Sequence, residues 1–375
     1  GYNPEFAGAV EATASTGGQI MPPIMGAAAF LMAEFTQIPY VKIIAAAVIP
    51  AMLYYFGVWT GVHLEAQRLG LKGLSREELP KITRIVLERG HLILPLLAII
   101  YLLVVGYTPM RAALAAIFLS IFCCMLKKST RISLLEIIKG LEQGARNALG
   151  VVTATACAGV IIGVVTQTGL GLKMGSVLVG LAKGNLLLTL FFAMITSLIL
   201  GMGVPTTANY VITSTIAAPA LLMMNVPVLC AHMFAFYFGI IADVTPPVAL
   251  AAFAGAGIAK AHPLKTGINA SKLAVAAFLV PYIFVYNPAM LLINATTAGA
   301  IQIAVTSLIG IIGVAAGMAG YLITDQKWWE RIIFITGGVL LVVPGLKTDL
   351  LGVILLVIGY VVQKRKKAKI ITLAA

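Results

Sequence analysis

Long runs of apolar residues, separated by short polar stretches, extend over most of the 375-residue chain. A helix that crosses a bilayer needs about 20 mainly apolar residues. By this criterion the predicted spanning segments are 41–58, 91–106, 109–126, 147–168, 272–298, 301–323, 331–343 and 349–362. Three further apolar segments, 5–35, 186–224 and 228–260, are interrupted by glycine, proline and hydroxyl residues. The pattern predicts an all-α polytopic membrane protein.

The last two interrupted segments carry residue types that weaken a membrane helix. Segment 186–224 contains Gly201-Met202-Gly203-Val204-Pro205-Thr206-Thr207-Ala208-Asn209, and segment 228–260 contains Asp243-Val244-Thr245-Pro246-Pro247. In lipid, backbone groups released by a helix break persist only where protein or a water-filled cavity covers them. Broken helices of this kind form binding sites near the middle of the bilayer. The pattern therefore predicts a re-entrant hairpin over 186–224, a broken helix over 228–260 and a binding site beside them.

Basic residues indicate on which side of the membrane each loop lies. The stretches 64–90, 127–146 and 260–272 and the tail Lys364–Lys367 are rich in lysine and arginine. Such loops are typically cytoplasmic. With this assignment, segment 5–35 runs from the cytoplasmic side to the outside, and segment 228–260 runs from the outside back to the cytoplasmic side.

The first and third interrupted segments also resemble each other in sequence. Each contains a proline pair, Pro22-Pro23 or Pro246-Pro247, followed by small residues and a phenylalanine. After each comes a lysine and then an alanine-rich apolar helix with a proline, from Lys42 to Pro50 and from Lys272 to Pro281. Two similar units of opposite orientation indicate an inverted repeat, which is typical of secondary transporters. Chance similarity between two apolar, proline-containing segments is the alternative.

Composition narrows the function classes. The chain is 60% hydrophobic and 10% charged, whereas a soluble domain carries about 25% charged residues. The net charge of +13 lies in short loops and a tail, which predicts a lipid-bilayer partner and no nucleic acid. No His-Glu-x-x-His motif is present, and Asp243 has no second intramembrane aspartate, so an intramembrane protease is disfavoured. A channel is disfavoured because the long helices show no continuous polar stripe.

Four regions are predicted along the chain. Residues 1–63 form the latter part of repeat one, and residues 64–90 form a cytoplasmic connector. Residues 91–298 form the second repeat, with its hairpin and broken helix. Residues 299–375 form C-terminal helices and a basic cytoplasmic tail. Because the chain starts at Gly1 without a methionine, we expect the first part of repeat one, including a second hairpin, to lie upstream.

The connector is predicted to be either an amphipathic surface helix or an ordinary loop. In the helical alternative Ser75 would cap the helix, with Glu78 in the capping-box position.

The prolines in the breaks lack the N–H that would bond the carbonyl four residues earlier. The carbonyls predicted to be free are those of Gly18, Gln19, Gly201, Ala242 and Asp243. A hard cation takes several oxygen ligands, and free carbonyls and hydroxyls are such ligands. Helix N-termini across each break would present N–H groups to an anionic substrate. Asp243 is predicted to ligate an ion, to carry a proton, or to hydrogen-bond the broken backbone.

Four stretches together resemble a known transporter family. They are Gly1–Ala12, then Ser15-Thr16-Gly17-Gly18-Gln19-Ile20-Met21-Pro22-Pro23, then Gly201–Tyr210, and then Asp243–Pro247. They look like the large membrane subunit of tripartite ATP-independent periplasmic (TRAP) transporters, in particular the fused permeases that work with TAXI-class binding proteins. The resemblance implies an inverted-repeat, elevator-type ion-transporter fold in a bacterial or archaeal cytoplasmic (inner) membrane. It also implies sodium-coupled import of an organic acid delivered by a periplasmic substrate-binding protein, without an organic cofactor.

The resemblance also implies which residues form the sites. The sodium-site residues would be Ser15, Thr16, Gly17, Gly18, Pro22, Gly201, Gly203, Asp243, Thr245 and Pro246. The substrate-binding residues would be Gly203, Pro205, Thr206, Thr207, Asn209 and Thr245. Dicarboxylate-type relatives often carry an acidic residue where this chain has Val204, which leaves sodium or proton coupling open.

Overall fold

The computed structural model describes residues 1–73, 79, 81–343 and 345–374. These residues form α-helices joined by short turns, and the β-structure among them is a single bridge between Tyr321 and Asp325. The prediction of an all-α polytopic protein is confirmed. The proposed cap at Ser75 and Glu78 lies outside the described residues.

The N-terminal third begins with a broken helix. Its helices are α1 (Pro4–Gly17), α2 (Ala27–Thr36), α3 (Tyr40–Arg68), α4 (Ile82–Arg89), α5 (Leu94–Val105) and α6 (Pro109–Met125). α1 starts with proline at its first position, where no N–H is needed, and ends at Gly17. The predicted interruption of segment 5–35 is therefore present between α1 and α2.

Two helices in the middle of the chain differ from the sequence-based expectation. α7 (Leu134–Thr168) begins inside the expected loop 127–146, and α8 (Leu170–Leu181) was not expected. Ser133 starts α7 with a capping box in which Glu136 accepts hydrogen bonds from the Ser133 N–H and hydroxyl. These bonds lower the pKa of the Glu136 carboxyl. A search for long apolar runs finds residues 147–168 of α7 but not its charged start, and it misses α8, which has only 12 residues.

The second repeat contains the predicted hairpin and broken helix. Its helices are α9 (Leu186–Gly201), α10 (Thr206–Met223), α11 (Val228–Ile241), α12 (Leu250–Ala259), α13 (Pro263–Leu273) and α14 (Val275–Tyr286). A short 3-10 turn, Ala242–Val244, follows α11. The expected start of the next span at residue 272 is wrong, because a polar helix begins at Pro263 and continues into the apolar α14.

The C-terminal helices pack closely against one another. They are α15 (Thr297–Ala319), α16 (Trp328–Val342) and α17 (Leu346–Ala374). A Cβ built at Gly310 would lie 2.7 Å from the Gly338 carbonyl oxygen, so α15 and α16 meet backbone to backbone. The basic residues of the expected tail continue α17 as a helix.

Four helices of the described residues are long and apolar enough to cross a membrane. They are Tyr40–Arg68, Ile85–Val105, Pro263–Tyr286 and Thr297–Ala319. The bent pair Gly159–Thr168 and Leu170–Leu181 makes a fifth if it is counted as one span. Shorter apolar helices are α6, the first arm of the hairpin (α9), and three halves of the broken helices: α2, α12, and α11 with its 3-10 turn.

The two broken helices lie side by side and run in opposite directions. α1 packs against α12, whereas α2 packs against α11. At the crossing, a Cβ built at Gly255 would lie 2.6 Å from the Gly8 carbonyl oxygen. Met25 and Ala249 occupy equivalent places, two residues after each proline pair, and both have positive φ (56° and 39°). Non-glycine residues rarely adopt such a φ, so the two breaks share an unusual backbone course.

Candidate functional site

The hairpin tip lies against the break of the second broken helix. A Cβ built at Gly203 would lie 3.9 Å from Val248 Cγ1, and one built at Gly201 would lie 2.9 Å from Ala242 Cβ. Gly203 has φ +75°, a conformation that glycine adopts without a steric cost. The tip therefore presents bare backbone towards the second break.

Part of the first repeat also reaches the hairpin. Leu31 of α2 and Val204 of the tip pack against the buried Ala208 and Val211 of α10. The rings of Phe35 and Tyr210 are stacked, with centroids 6.0 Å apart. Side chains of α2 thus lie beside the hairpin tip.

Tyrosines of α3 hold the first break in place. Tyr54 donates its hydroxyl to the Thr13 carbonyl at 2.6 Å, and Tyr55 donates to the Ala14 carbonyl at 3.1 Å. Tyr40 donates to the Ile24 carbonyl at 2.8 Å on the other side of the break. Ala14 is one of the last four residues of α1, whose carbonyls have no partner within the helix, so the Tyr55 hydroxyl supplies the bond that this carbonyl lacks.

The second break is held in a similar way by α13 and by its own threonine. Ser271 donates to the Val244 carbonyl at 3.1 Å, and Thr245 donates to the Ile241 carbonyl at 2.7 Å. Gly267 of α13 lies beside the Pro246 ring, since a Cβ there would be 3.1 Å from Pro246 Cγ. These tyrosines and Ser271 were not predicted from the sequence. The signal that could have found them is a hydroxyl residue in the second helix after each break, α3 or α13.

Three of the five carbonyls expected to be free have donors. The Gln19 oxygen accepts from the Gly26 N–H at 2.7 Å, and the Ala242 oxygen accepts from the Thr245 N–H at 3.3 Å. The Gly201 oxygen accepts from the Asn209 amide at 3.4 Å. The expectation was wrong for these three because the chain turns back after each break. Among the described residues, no donor reaches the Gly18 and Asp243 carbonyls.

Asn209 is the polar centre of the hairpin. Its side chain is completely buried, and its amide Nδ2 donates to the Gly239 carbonyl at 2.6 Å as well as to Gly201. Its Oδ1 is buried without a donor among the described residues, as are Ser197 Oγ and the Tyr237 hydroxyl. An unpaired buried oxygen is costly, so such atoms usually face water or an ion. Asn209 thus joins the hairpin to α11.

We expect Asn209→Asp to destabilise the protein by roughly 1–2 kcal/mol, because both N–H donations are lost and a carboxylate faces two carbonyls. The measurement is thermal unfolding of the purified protein in detergent. Asn225→Asp is the matched control, because Asn225 is exposed at the other end of the hairpin. Equal melting temperatures for the two variants would contradict the bridging role of Asn209.

The other expected site residues fall into three groups. Gly203, Pro205, Thr206 and Thr207 lie at the tip and in the first turn of α10, which has no side-chain cap. Asp243, Thr245 and Pro246 lie at the second break, where Asp243 is half-buried and has no hydrogen-bond or ion-pair partner among the described residues. Ser15, Thr16, Gly17, Gly18 and Pro22 lie at the first break. There Ser15 is exposed and donates to Glu11, while Gly17 packs tightly against the Tyr54 ring.

These elements form two broken helices that run in opposite directions and a helical hairpin beside them. Residues 1–298 match the family described as tripartite ATP-independent periplasmic transporter, DctM component. The chain belongs to this TRAP permease family. Residues 300–365 of the permease match a domain of unknown function, DUF3394. The comparison with curated proteins found no match.

The permease is thus a multi-pass inner-membrane component of a TRAP transporter, a family whose members work with a periplasmic substrate-binding protein and a transported solute. Its family is one of transporters and not of enzymes. The resemblance to the large membrane subunit of TRAP transporters, which the sequence motifs indicated, is confirmed at the level of the family.

Proposed function

We propose that the permease imports an organic acid by sodium-coupled, elevator-type alternating access, with the substrate delivered by a periplasmic binding protein of the TAXI type. The observation that carries the proposal is the bare backbone of the hairpin tip, which lies beside a break that contains the unpaired carboxylate of Asp243. Both features are typical of ion and substrate sites in transporters built from inverted repeats.

The described residues fit a monovalent cation of the hard, oxygen-binding kind. Oxygens without a donor include Asn209 Oδ1, the Asp243 carbonyl and the Asp243 carboxylate, all near α11 and the hairpin tip. At the first break the Gly18 carbonyl likewise has no donor among the described residues. These groups, with Thr16 and Thr245, would hold sodium, and the negative C-terminal ends of α1 and α11 favour a cation there.

The substrate carboxylate would lie at the N-terminal end of α10. Its first-turn N–H groups are free because Pro205 provides no side-chain cap, and Thr206 and Thr207 add hydroxyl donors. Helix N-termini bind anions through such N–H groups and the helix dipole. Sodium at the neighbouring breaks would then strengthen carboxylate binding, since opposite charges attract strongly where water is scarce.

Uptake of a labelled organic acid into proteoliposomes tests the proposal. The permease, expressed from its complete reading frame, is reconstituted with its cognate binding protein and an inward sodium gradient. We expect uptake to need both the gradient and the binding protein. Uptake driven equally well by a proton gradient without sodium would favour the proton-coupled alternative.

Asp243→Asn separates the roles of this carboxylate. If the carboxylate ligates sodium, loss of its charge raises the sodium concentration for half-maximal uptake by roughly tenfold. Asp349→Asn is the control, because Asp349 lies in α17, away from both breaks. An unchanged dependence of uptake on sodium concentration would eliminate Asp243 as a charged ion ligand.

A further inference from the structure

A polar cavity of about 520 Å³ lies away from the breaks, where the DctM-like region meets the C-terminal domain. Its walls come from the first turn of α1, the last turns of α3, the exposed face of α13 and the end of α15. The basic loops next to it predict that it opens on the cytoplasmic side. We propose that this cavity binds the phosphate group of an anionic phospholipid.

The charges around the cavity favour an anion. Arg68, Lys265 and Lys272 line it, against the carboxylates of Glu5 and Glu65. Arg68 is held by Glu65 at 3.7 Å and by Asp325 of the C-terminal domain at 3.2 Å. Neither lysine has an ion-pair partner among the residues that the structure describes. Two free ammonium groups therefore face one free carboxylate.

The two lysines are placed to act together. They are seven residues apart on α13, which is two helical turns, so they lie on one face of that helix. The Asn269 side chain lies between them on the same wall and supplies an uncharged donor. A phosphate diester between these groups would receive charge-assisted hydrogen bonds, which are stronger than neutral ones.

Apart from Asn3, the rest of the lining is apolar or glycine, which favours a lipid as the ligand. Phe6, Ile268 and Leu273 come from the DctM-like region, and Ala315 and Met318 come from the C-terminal domain. A basic rim with an apolar wall at the end of membrane helices matches a headgroup followed by its glycerol and acyl chains. The same lipid would contact both regions beside the Arg68–Asp325 ion pair, so it would tie the C-terminal domain to α3 and α13.

Native mass spectrometry of the delipidated permease, titrated with phosphatidylglycerol, tests the site. We expect Lys265→Ala/Lys272→Ala to weaken binding of the first lipid about tenfold, because each surface lysine contributes measurably to anionic-lipid binding. The charge-conserving double variant Lys265→Arg/Lys272→Arg is expected to retain binding. Lys128→Ala/Lys139→Ala, which removes two exposed lysines elsewhere on the predicted cytoplasmic side, is the matched control.

The outcomes are distinct. Equal lipid affinity for the alanine pair and its control, or equal binding of phosphatidylcholine to the unmodified permease, overturns the proposal. Thermal unfolding of the permease in the presence of inorganic phosphate or glycerol 3-phosphate distinguishes a phospholipid headgroup from a soluble phosphate ligand. Stabilisation by these soluble anions that disappears in the alanine pair keeps the phosphate site but assigns it to a soluble ligand. No stabilisation by them, together with lipid binding that needs the lysines, establishes the phospholipid.

Discussion

Replacing Gly203 with leucine is expected to reduce organic-acid uptake by more than about tenfold while the permease still inserts in the membrane. Gly203 has φ +75°, and a leucine in this left-handed region costs about 1–2 kcal/mol, which corresponds to about a tenfold change in an equilibrium. The leucine side chain would also fill the space above Val248, between the tip and the second break.

Two controls separate these causes. Gly203→Asn keeps a residue that tolerates positive φ, so it is expected to retain more uptake than leucine if the backbone conformation dominates. Gly257→Leu adds the same bulk to α12, where a Cβ meets nothing within 4 Å, and is expected to transport normally. Normal uptake by Gly203→Leu would remove the hairpin tip from the transport site.

Replacing Gly255 with alanine is expected to lower the free energy of unfolding by roughly 3 kcal/mol, the upper range for overpacking. The new Cβ would lie 2.6 Å from the Gly8 carbonyl oxygen. The obstacle is backbone and cannot rotate away, so α1 and α12 must move apart. Because the two broken helices cross at this point, their separation would disturb both breaks together.

Gly257→Ala is the matched control for this variant. Gly257 lies two residues further along α12 and has open space around it, so alanine there is expected to be neutral or slightly stabilising. Melting temperatures in detergent, with the yield of folded protein, provide the comparison. Equal stability of the two variants would contradict the close crossing of the broken helices.

The periodicity and the breakers in the sequence predicted most elements of the second repeat. The hairpin arms end at Gly201 and begin again at Thr206, next to the glycines and proline that mark the turn. The breaks after α1 and α11 were likewise visible in the sequence, because proline and glycine act on the local backbone alone. The charged start of α7 was missed, because a search for apolar runs does not register charged helical turns.

The site was only partly predictable from the sequence. Carbonyls next to prolines were identified, but the structure gives three of them donors. The donor to Gly201 is Asn209, which the resemblance had placed in the substrate site. The tyrosines that hold the first break were not identified either, since Tyr54 is 41 residues away from its acceptor in the chain.

The sequence by itself determined that this chain is a helical membrane permease with two inverted, broken units, because hydrophobic length, proline and basic loops act locally. Only the tertiary structure decided which backbone oxygens stay unpaired, how closely Gly8 and Gly255 approach, and where Lys265 and Lys272 meet the C-terminal domain. The physical reason is that hydrogen-bond partners and close contacts are set by segments far apart in the chain, whose approach no local pattern encodes.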